Sequence, residues 1–301
     1  KLIDMLTDLN DYSIGIEDVL KEHFDEENIV YWMAFQILMG NVDTQNRNVY
    51  LYSPLNSDIW YFIAWDNDGC LMRSEYELKN FSDQGSWEKG ISNYWGNILF
   101  QRCLKSRSFR EKLNDAILDL REYLNKDMLT SKIESYKNVL KPYLYLMPDA
   151  EYEPLTSEQY DQIAASLPDE IEKNYQLYLE SLETPMPFYI GVPTIDGDKL
   201  KFNWDVSYDL DAEDITYSVE VARDYLFQDV IYHNTTLTVP EAEMDLPNAG
   251  QYFVRVRATN TSGKTQDAFD YYVTDEGKHY GMKCFYITED STVEEDNYEE
   301  G

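Results

Sequence analysis

The spacing of apolar and polar residues divides the chain into three parts. Up to about position 39, apolar side chains recur every three to four residues, in "DLNDYSIGIEDVLKEHFD" and again in "EENIVYWMAFQILMG". That period puts them on one face of a helix, so two helices are expected. Glu26 and Glu27 suit the positive start of the second, and Gly40 suits its stop. Two aromatic runs follow, "NVYLYS" and "IWYFIAW", joined by the turn-rich "PLNSD". They read as two buried strands of one hairpin. From Trp87 to Leu182 the helical period returns in "SRSFREKLNDAILDLREYL", "TSKIESYKNVLKPYL" and "TSEQYDQIAASLPDEIEKNYQLYLESL". Pro142 and Pro168 are expected to bend or break these helices.

"ETPMPFYIGVP" changes the pattern, and its prolines Pro185, Pro187 and Pro193 mark a boundary near Pro185. Beyond it "KLKFNWDV", "TYSVEVARD", "DVIYHNTTLTV", "GQYFVRVRATN" and "AFDYYVTD" alternate apolar with polar residues. That is the period of half-buried strands, and their spacing predicts a β-sandwich. The expected fold class is therefore multidomain. Residues 1–185 form a mostly helical α+β domain with a buried β-hairpin, and residues 187–276 form an all-β sandwich. Residues 277–301 hold an extra strand in "GKHYGMKCFYI" and an acidic tail, "EDSTVEEDNYEEG", with the composition of a solvated, disordered end.

Charge removes several functions. The 301 residues carry 57 Asp and Glu against 25 Lys and Arg, a net charge of −32. A nucleic-acid binder needs clustered cations, and so does a protein held on an anionic bilayer. Neither partner is expected. Aromatic residues make up 15% of the chain, too many for a disordered acidic polymer. No apolar run approaches the 18 residues of a membrane span. Cys70, Cys103 and Cys284 cannot all pair, and His23, His233 and His279 are scattered, so neither set suggests a disulfide framework or a metal knuckle. The chain starts at Lys1 inside a helical pattern, which is expected of a piece of a longer protein.

Three short motifs carry little. "SGKT" at 262–265 would need a Gly five residues before its Gly-Lys pair to cradle phosphate, and Ala258 stands there. It reads as a hairpin turn. "NTT" at 234 and "NTS" at 260 match glycan acceptors by chance. An EF-hand beginning at Asp66 would need Gly at position 71, where Leu stands.

Trp204 on an early strand and "GQYFVRVRA" at 250–258 resemble the fibronectin type III family. The resemblance implies a core tryptophan, with Tyr252 anchoring a strand corner. It implies nothing about chemistry.

The remaining signal is a pairing. In "GNVDTQNRNVYLYS", Asp43 is followed five residues later by Asn48. In "IWYFIAWDNDG", Asp66 ends the next strand. Phosphoryl transfer from ATP needs a carboxylate to take the acceptor's proton, an amide on the same loop and a second carboxylate to hold a divalent metal. Protein kinases place the first two at this spacing and the third after a hairpin. No His-Arg precedes Asp43 and no Phe-Gly follows Asp66, so an ordinary protein kinase is not expected.

"GNVDTQNRNVYLY" together with "WYFIAWDND" resembles the signature of the spore coat protein H (CotH) family of atypical kinases, over roughly residues 1–110. The resemblance implies a kinase-like carboxy-terminal lobe that transfers phosphate from ATP to secreted or surface proteins. Asp43 would be the catalytic base and Asp66 the metal-binding carboxylate. Asn48 would be the second metal ligand and Asp68 a weaker one, with Asn46 and Arg47 shaping the loop. Mg²⁺ or Mn²⁺ and ATP would be the cofactors, and the protein substrate would lie at a bacterial cell surface or spore coat, outside the cell. The family's nucleotide-clamping lobe, with its Lys and helix Glu, has no counterpart in this chain, so the nucleotide-binding residues are unassigned. A non-catalytic extracellular scaffold or binding module built on the same fold is the alternative reading.

Overall fold

The computed structural model describes residues 1–45, 47–79 and 84–295. Asn46 and residues 296–301 of the acidic tail lie outside the described residues. The chain forms two units, Lys1–Ser82 with Lys89–Leu179, and Asp83–Glu88 with Glu180–Gly301.

The first unit opens with three helices rather than two: α1 (Leu2–Asn10), α2 (Ile16–His23) and α3 (Glu26–Met39). The break falls at Asp11. Its carboxylate accepts the Ser13 backbone N–H at 2.9 Å and the Ser13 hydroxyl at 2.6 Å. A local turn of that kind competes with the helix. The buried Arg102 guanidinium donates to the carbonyls of Leu9 and Ile14, satisfying acceptors that the break exposes. α3 starts on an Asp25 cap that accepts the Asn28 N–H at 2.9 Å. It stops at Gly40, whose φ of 63° suits glycine. A Cβ there would stand 2.6 Å from Asn174 Nδ2.

Strands β1 (Tyr50–Tyr52) and β2 (Tyr61–Ile63) pair antiparallel, with Leu51 opposite Phe62. The expectation of a buried hairpin is corrected here. The alternation that puts Leu51 and Phe62 inward puts Tyr50, Tyr52 and Ile63 outward, where they are exposed. Phe62 alone among the strand residues is buried, 4.8 Å from Trp32 and 5.8 Å from Phe100 between ring centroids. The Asn28 side chain brackets the Phe62 backbone. It accepts the Phe62 N–H at 2.6 Å and donates to the Phe62 carbonyl at 3.1 Å. A helix side chain thus pairs with β2 as a neighbouring strand would.

Five helices complete the unit: α4 (Arg73–Lys79), α5 (Ile98–Lys105), α6 (Arg107–Tyr123), α7 (Lys126–Leu144) and α8 (Ser157–Glu183). Buried Glu170 of α8 accepts the Arg73 and Ser74 backbone N–H groups at the start of α4, at 3.3 and 2.8 Å. α7 and α8 run through Pro142 and Pro168, so of the two expected effects neither proline breaks its helix. Each proline forfeits one backbone bond. Pro142 sits in the last turn of α7, and in α8 the burial of Ala164, Ile171 and Tyr178 on either side of Pro168 offsets the loss.

The second unit is built from β3 (Thr194–Asp196), β4 (Lys199–Asn203), β5 (Ile215–Ala222), β6 (Val230–Leu237), β7 (Glu241–Asp245), β8 (Gly250–Asn260), β9 (Thr265–Asp267), β10 (Tyr271–Thr274), β11 (Gly277–Tyr280), β12 (Met282–Ile287) and β13 (Val293–Glu295). One sheet has the order β3-β4-β7 and the other β13-β12-β8-β5-β6, with β9 also on β8 and β10–β11 a separate hairpin. Leu200 and Phe202 of the first sheet share one buried core with Val219, Val254 and Phe285 of the second. Trp204 lies in that core, 5.4 Å from Tyr217. The Tyr252 hydroxyl donates to the Asn248 carbonyl at 2.8 Å. "SGKT" lies at the β8–β9 turn, with Gly263 at φ 79°. Asn260 is buried and its amide donates to the Glu183 carbonyl and the Asp209 carboxylate, so that acceptor match is occupied internally.

The extra strand is β12, paired to β8, and part of the acidic tail is ordered. Its residues Val293–Glu295 pair with β12, because Val293 packs on the sandwich core. Residues 84–88 also belong to this unit. Trp87 is buried edge-on to Phe269 at 5.1 Å, and Ser86 Oγ accepts from Gln266 Nε2 at 2.8 Å. Trp87→Ala is expected to cost the unit about 3 kcal/mol, read as a lower denaturant midpoint with unchanged slope. No helix among the described residues is long and apolar enough to cross a membrane.

Candidate functional site

Asp43 lies in a one-turn 3₁₀ helix, Val42–Thr44, directly after α3 stops at Gly40. Asn41 caps that turn, accepting the Asp43 N–H on its Oδ1 at 3.3 Å. Below it Thr44 is buried, its hydroxyl donating to the Asn41 carbonyl at 3.1 Å and lying 3.0 Å from the Tyr94 hydroxyl. Asn93 Nδ2 donates to the Val42 carbonyl at 3.3 Å. The backbone under Asp43 is thereby fixed from three sides, while the carboxylate itself stays exposed.

Asn48 has a φ of 51°, a left-handed conformation that Asn tolerates better than most residues. Its Nδ2 donates to Asp43 Oδ2 at 2.6 Å. The five-residue spacing therefore brings amide and carboxylate together, and Asn48 Oδ1 is the atom left for a cation. Asp66 follows β2, also left-handed at φ 50°, and begins a second 3₁₀ turn, Asn67–Gly69. The two turns are packed closely. A Cβ on Gly69 would lie 3.1 Å from Asn41 Oδ1 and 3.8 Å from Asp43 Cβ.

The electrostatics report the same convergence. The exposed Asp66 carboxyl is pushed above its ordinary value, first by the charge of Asp68, then by slight desolvation, a hydrogen bond to Asp68 and the charge of Asp43. Asp66 thus lies beside Asp68, with Asp43 within electrostatic reach. Burial pushes the nearby Cys70 thiol up to about 12, which leaves it protonated and unreactive.

The donor set fits a hard divalent ion. Asp66, Asn48 and Asp68 offer carboxylate and amide oxygens, the ligands Mg²⁺ and Mn²⁺ prefer. Among the described residues no group of three or more His, Cys, Asp or Glu forms a metal cage.

Sequence reasoning singled out Asp43, Asn48, Asp66 and Asp68; a hydrogen bond joins Asp43 to Asn48, and Asp66 lies beside Asp68 within electrostatic reach of Asp43. It missed the amides beneath them. Gln36, fully buried, donates from Nε2 to Asn67 Oδ1 at 3.0 Å, and Asn41 Nδ2 donates to Gln36 Oε1 at 3.0 Å. The available signal was a lone polar residue inside the apolar run "IVYWMAFQILM".

No curated protein matched the chain. Among solved structures, the surface layer protein SbsC, domains 1–6, aligns with 12% identity over 91% of this chain and 38% of its own, at a TM-score of 0.17. The chain thus spans well under half of that protein, and the likeness is too slight to bear on fold. The family model described as CotH kinase protein matches residues 1–178, which include Asp43, Asn48, Asp66 and Asp68 and the amides under them, and the chain belongs to that family.

Proposed function

We propose that the first unit carries the base and metal-binding residues of an ATP-dependent protein kinase acting on secreted or surface proteins. The observation that carries this reading is the approach of the Asp43 and Asp66 turns: a hydrogen bond joins Asp43 to Asn48, and a Cβ on Gly69 of the Asp66 turn would lie 3.8 Å from Asp43 Cβ. Asp43, exposed on a braced turn, takes the proton from an acceptor hydroxyl. The freed oxygen bonds to the γ-phosphorus of ATP, the bond to the bridging oxygen breaks, and ADP leaves. Asp66 and Asn48, with Asp68, would hold Mg²⁺ or Mn²⁺, which neutralises charge on the transferring group. An extracellular or surface acceptor is supported by the family's association with spore coats and surfaces.

The second unit is read as a fibronectin type III module. Its β3-β4-β7 and β12-β8-β5-β6 strand orders, core Trp204 and the Tyr252 corner bond support that.

The test is incubation of the full-length protein with labelled ATP, Mn²⁺ and candidate surface proteins. Label should pass to an acceptor. Asp43→Asn should lower kcat by about 10²–10⁴-fold, the usual worth of a general base, with nucleotide affinity nearly unchanged. A protein that retains a partner on a column but never labels it would be a scaffold.

A further inference from the structure

Two neighbouring segments and a third about 30 residues further along meet in a row of amides beneath the carboxylates. Gln36 is on α3, Asn41 caps the Asp43 turn, and Asn67 is on the Asp66 turn. Gln36 and Asn41 are almost wholly buried, at 0% and 2% exposure. An amide can face either way, but here the backbone decides. The Asp43 N–H can only donate, so Asn41 must present Oδ1 to it. Asn41 Nδ2 then donates to Gln36 Oε1 at 3.0 Å, and Gln36 Nε2 donates to Asn67 Oδ1 at 3.0 Å. The second Asn41 proton reaches the same Asn67 oxygen at 3.4 Å. The chain has one direction, from the backbone of Asp43 to the neighbour of Asp66. A backbone bond from Leu71 N to the Met39 carbonyl at 2.8 Å ties the same segments just beyond it.

We propose that Gln36, Asn41 and Asn67 are positioning residues that hold the Asp43 turn and the Asp66 turn at a fixed separation, so that base and metal ligand stay in register. This rests on the reading of Asp66 as a metal ligand. None of the three amides needs to touch substrate. Their direction makes an asymmetric requirement. Asn67 is the terminal acceptor, so a carboxylate there still receives both N–H groups. Gln36 and Asn41 must each donate, and an ionised acid of the same shape cannot.

The experiment titrates the whole chain with Mn²⁺ alone, followed by the loss of the free-ion electron paramagnetic resonance signal. Three substitutions of nearly identical volume are compared: Gln36→Glu, Asn41→Asp and Asn67→Asp. Asn67→Asp is expected to bind Mn²⁺ at least as tightly as the unaltered chain. Gln36→Glu and Asn41→Asp are expected to bind about tenfold or more weakly, the usual cost of losing an outer-shell partner. All three add one negative charge, so a charge effect alone would tighten all three together, and that result overturns the proposal. Equal, unchanged affinities overturn it too. If the two buried variants do not fold by circular dichroism, Asn67→Leu decides the matter on its half-buried turn. It should bind about tenfold more weakly than Asn67→Asp, and equal binding overturns the proposal. Failure of the unaltered chain to bind Mn²⁺ overturns the site reading itself and this proposal with it, whereas binding without the asymmetry overturns this proposal alone.

Discussion

Asp66→Ala in the full-length protein should lower phosphate transfer by at least about 10³-fold. Metal-borne charge stabilisation supplies several kcal/mol of transition-state energy, and each 1.4 kcal/mol is about tenfold in rate. The loss should not come from unfolding. The folded Asp66 carboxyl has its pKa raised by Asp68 first, then by slight desolvation and by Asp43, so its ionised form is disfavoured in the native state. A raised carboxyl pKa means that the folded chain holds the proton more tightly than the unfolded one. Its contribution to stability is therefore least favourable above the raised value and improves as pH falls through it. Alanine removes that repulsion at neutral pH, so the metal-free variant should melt no lower than the unaltered protein. Mn²⁺ at about 100 times its dissociation constant should add about 2.7 kcal/mol to the unaltered chain and much less to Asp66→Ala. Acidification should release Mn²⁺ at a higher pH than an ordinary aspartate would, because Asp66 takes up its proton sooner. Normal transfer by Asp66→Ala, or an equal Mn²⁺-induced rise in melting temperature, would remove Asp66 from the site.

The parts of this arrangement that could be read from sequence are those with a short-range cause. The Gly40 stop is a single-residue conformational preference, and φ 63° meets it. Asp43 and Asn48 meet because five residues of one loop are enough to fold the amide back to the carboxylate. The β-strands from Lys199 onward follow from alternation. What was not legible depends on pairing across long separations. Gln36 and Asn67 are 31 residues apart and Asn174 reaches the Leu38 carbonyl across 136, so no local pattern announces either bond. Trp87 sits amid helical sequence yet fills a place in the β unit. The hairpin reads as buried from sequence because aromatic density resembles core. Tyr and Trp bring an apolar body and a polar tip, and at Tyr50 and Tyr52 they are spent on a solvent face.

That misreading makes Phe62 the decisive residue of the hairpin. A hairpin buried on both faces would share its anchoring among the six aromatic and aliphatic side chains of its strands. In this fold β2 is held inward by one ring, 4% exposed, set against Trp32, Phe100 and Phe24, and by the Asn28 bracket on its backbone. Phe62→Ala leaves the bracket but empties a ring-sized space among aromatics that cannot collapse freely, since Trp32 and Phe100 already stack at 5.7 Å. The expected cost is about 3–5 kcal/mol, or a fall of about 10 °C in the melting of the first unit. Tyr52→Ala, on the outer face of the same hairpin, should stay within about 0.5 kcal/mol. The two variants together measure which face carries the structure. Because Phe62 lies four residues before Asp66, Phe62→Ala should also weaken Mn²⁺ binding at temperatures where the unit is still folded. A metal affinity unchanged by Phe62→Ala would mean that the amides beneath the turns hold Asp66 in place without help from the strand that leads to it.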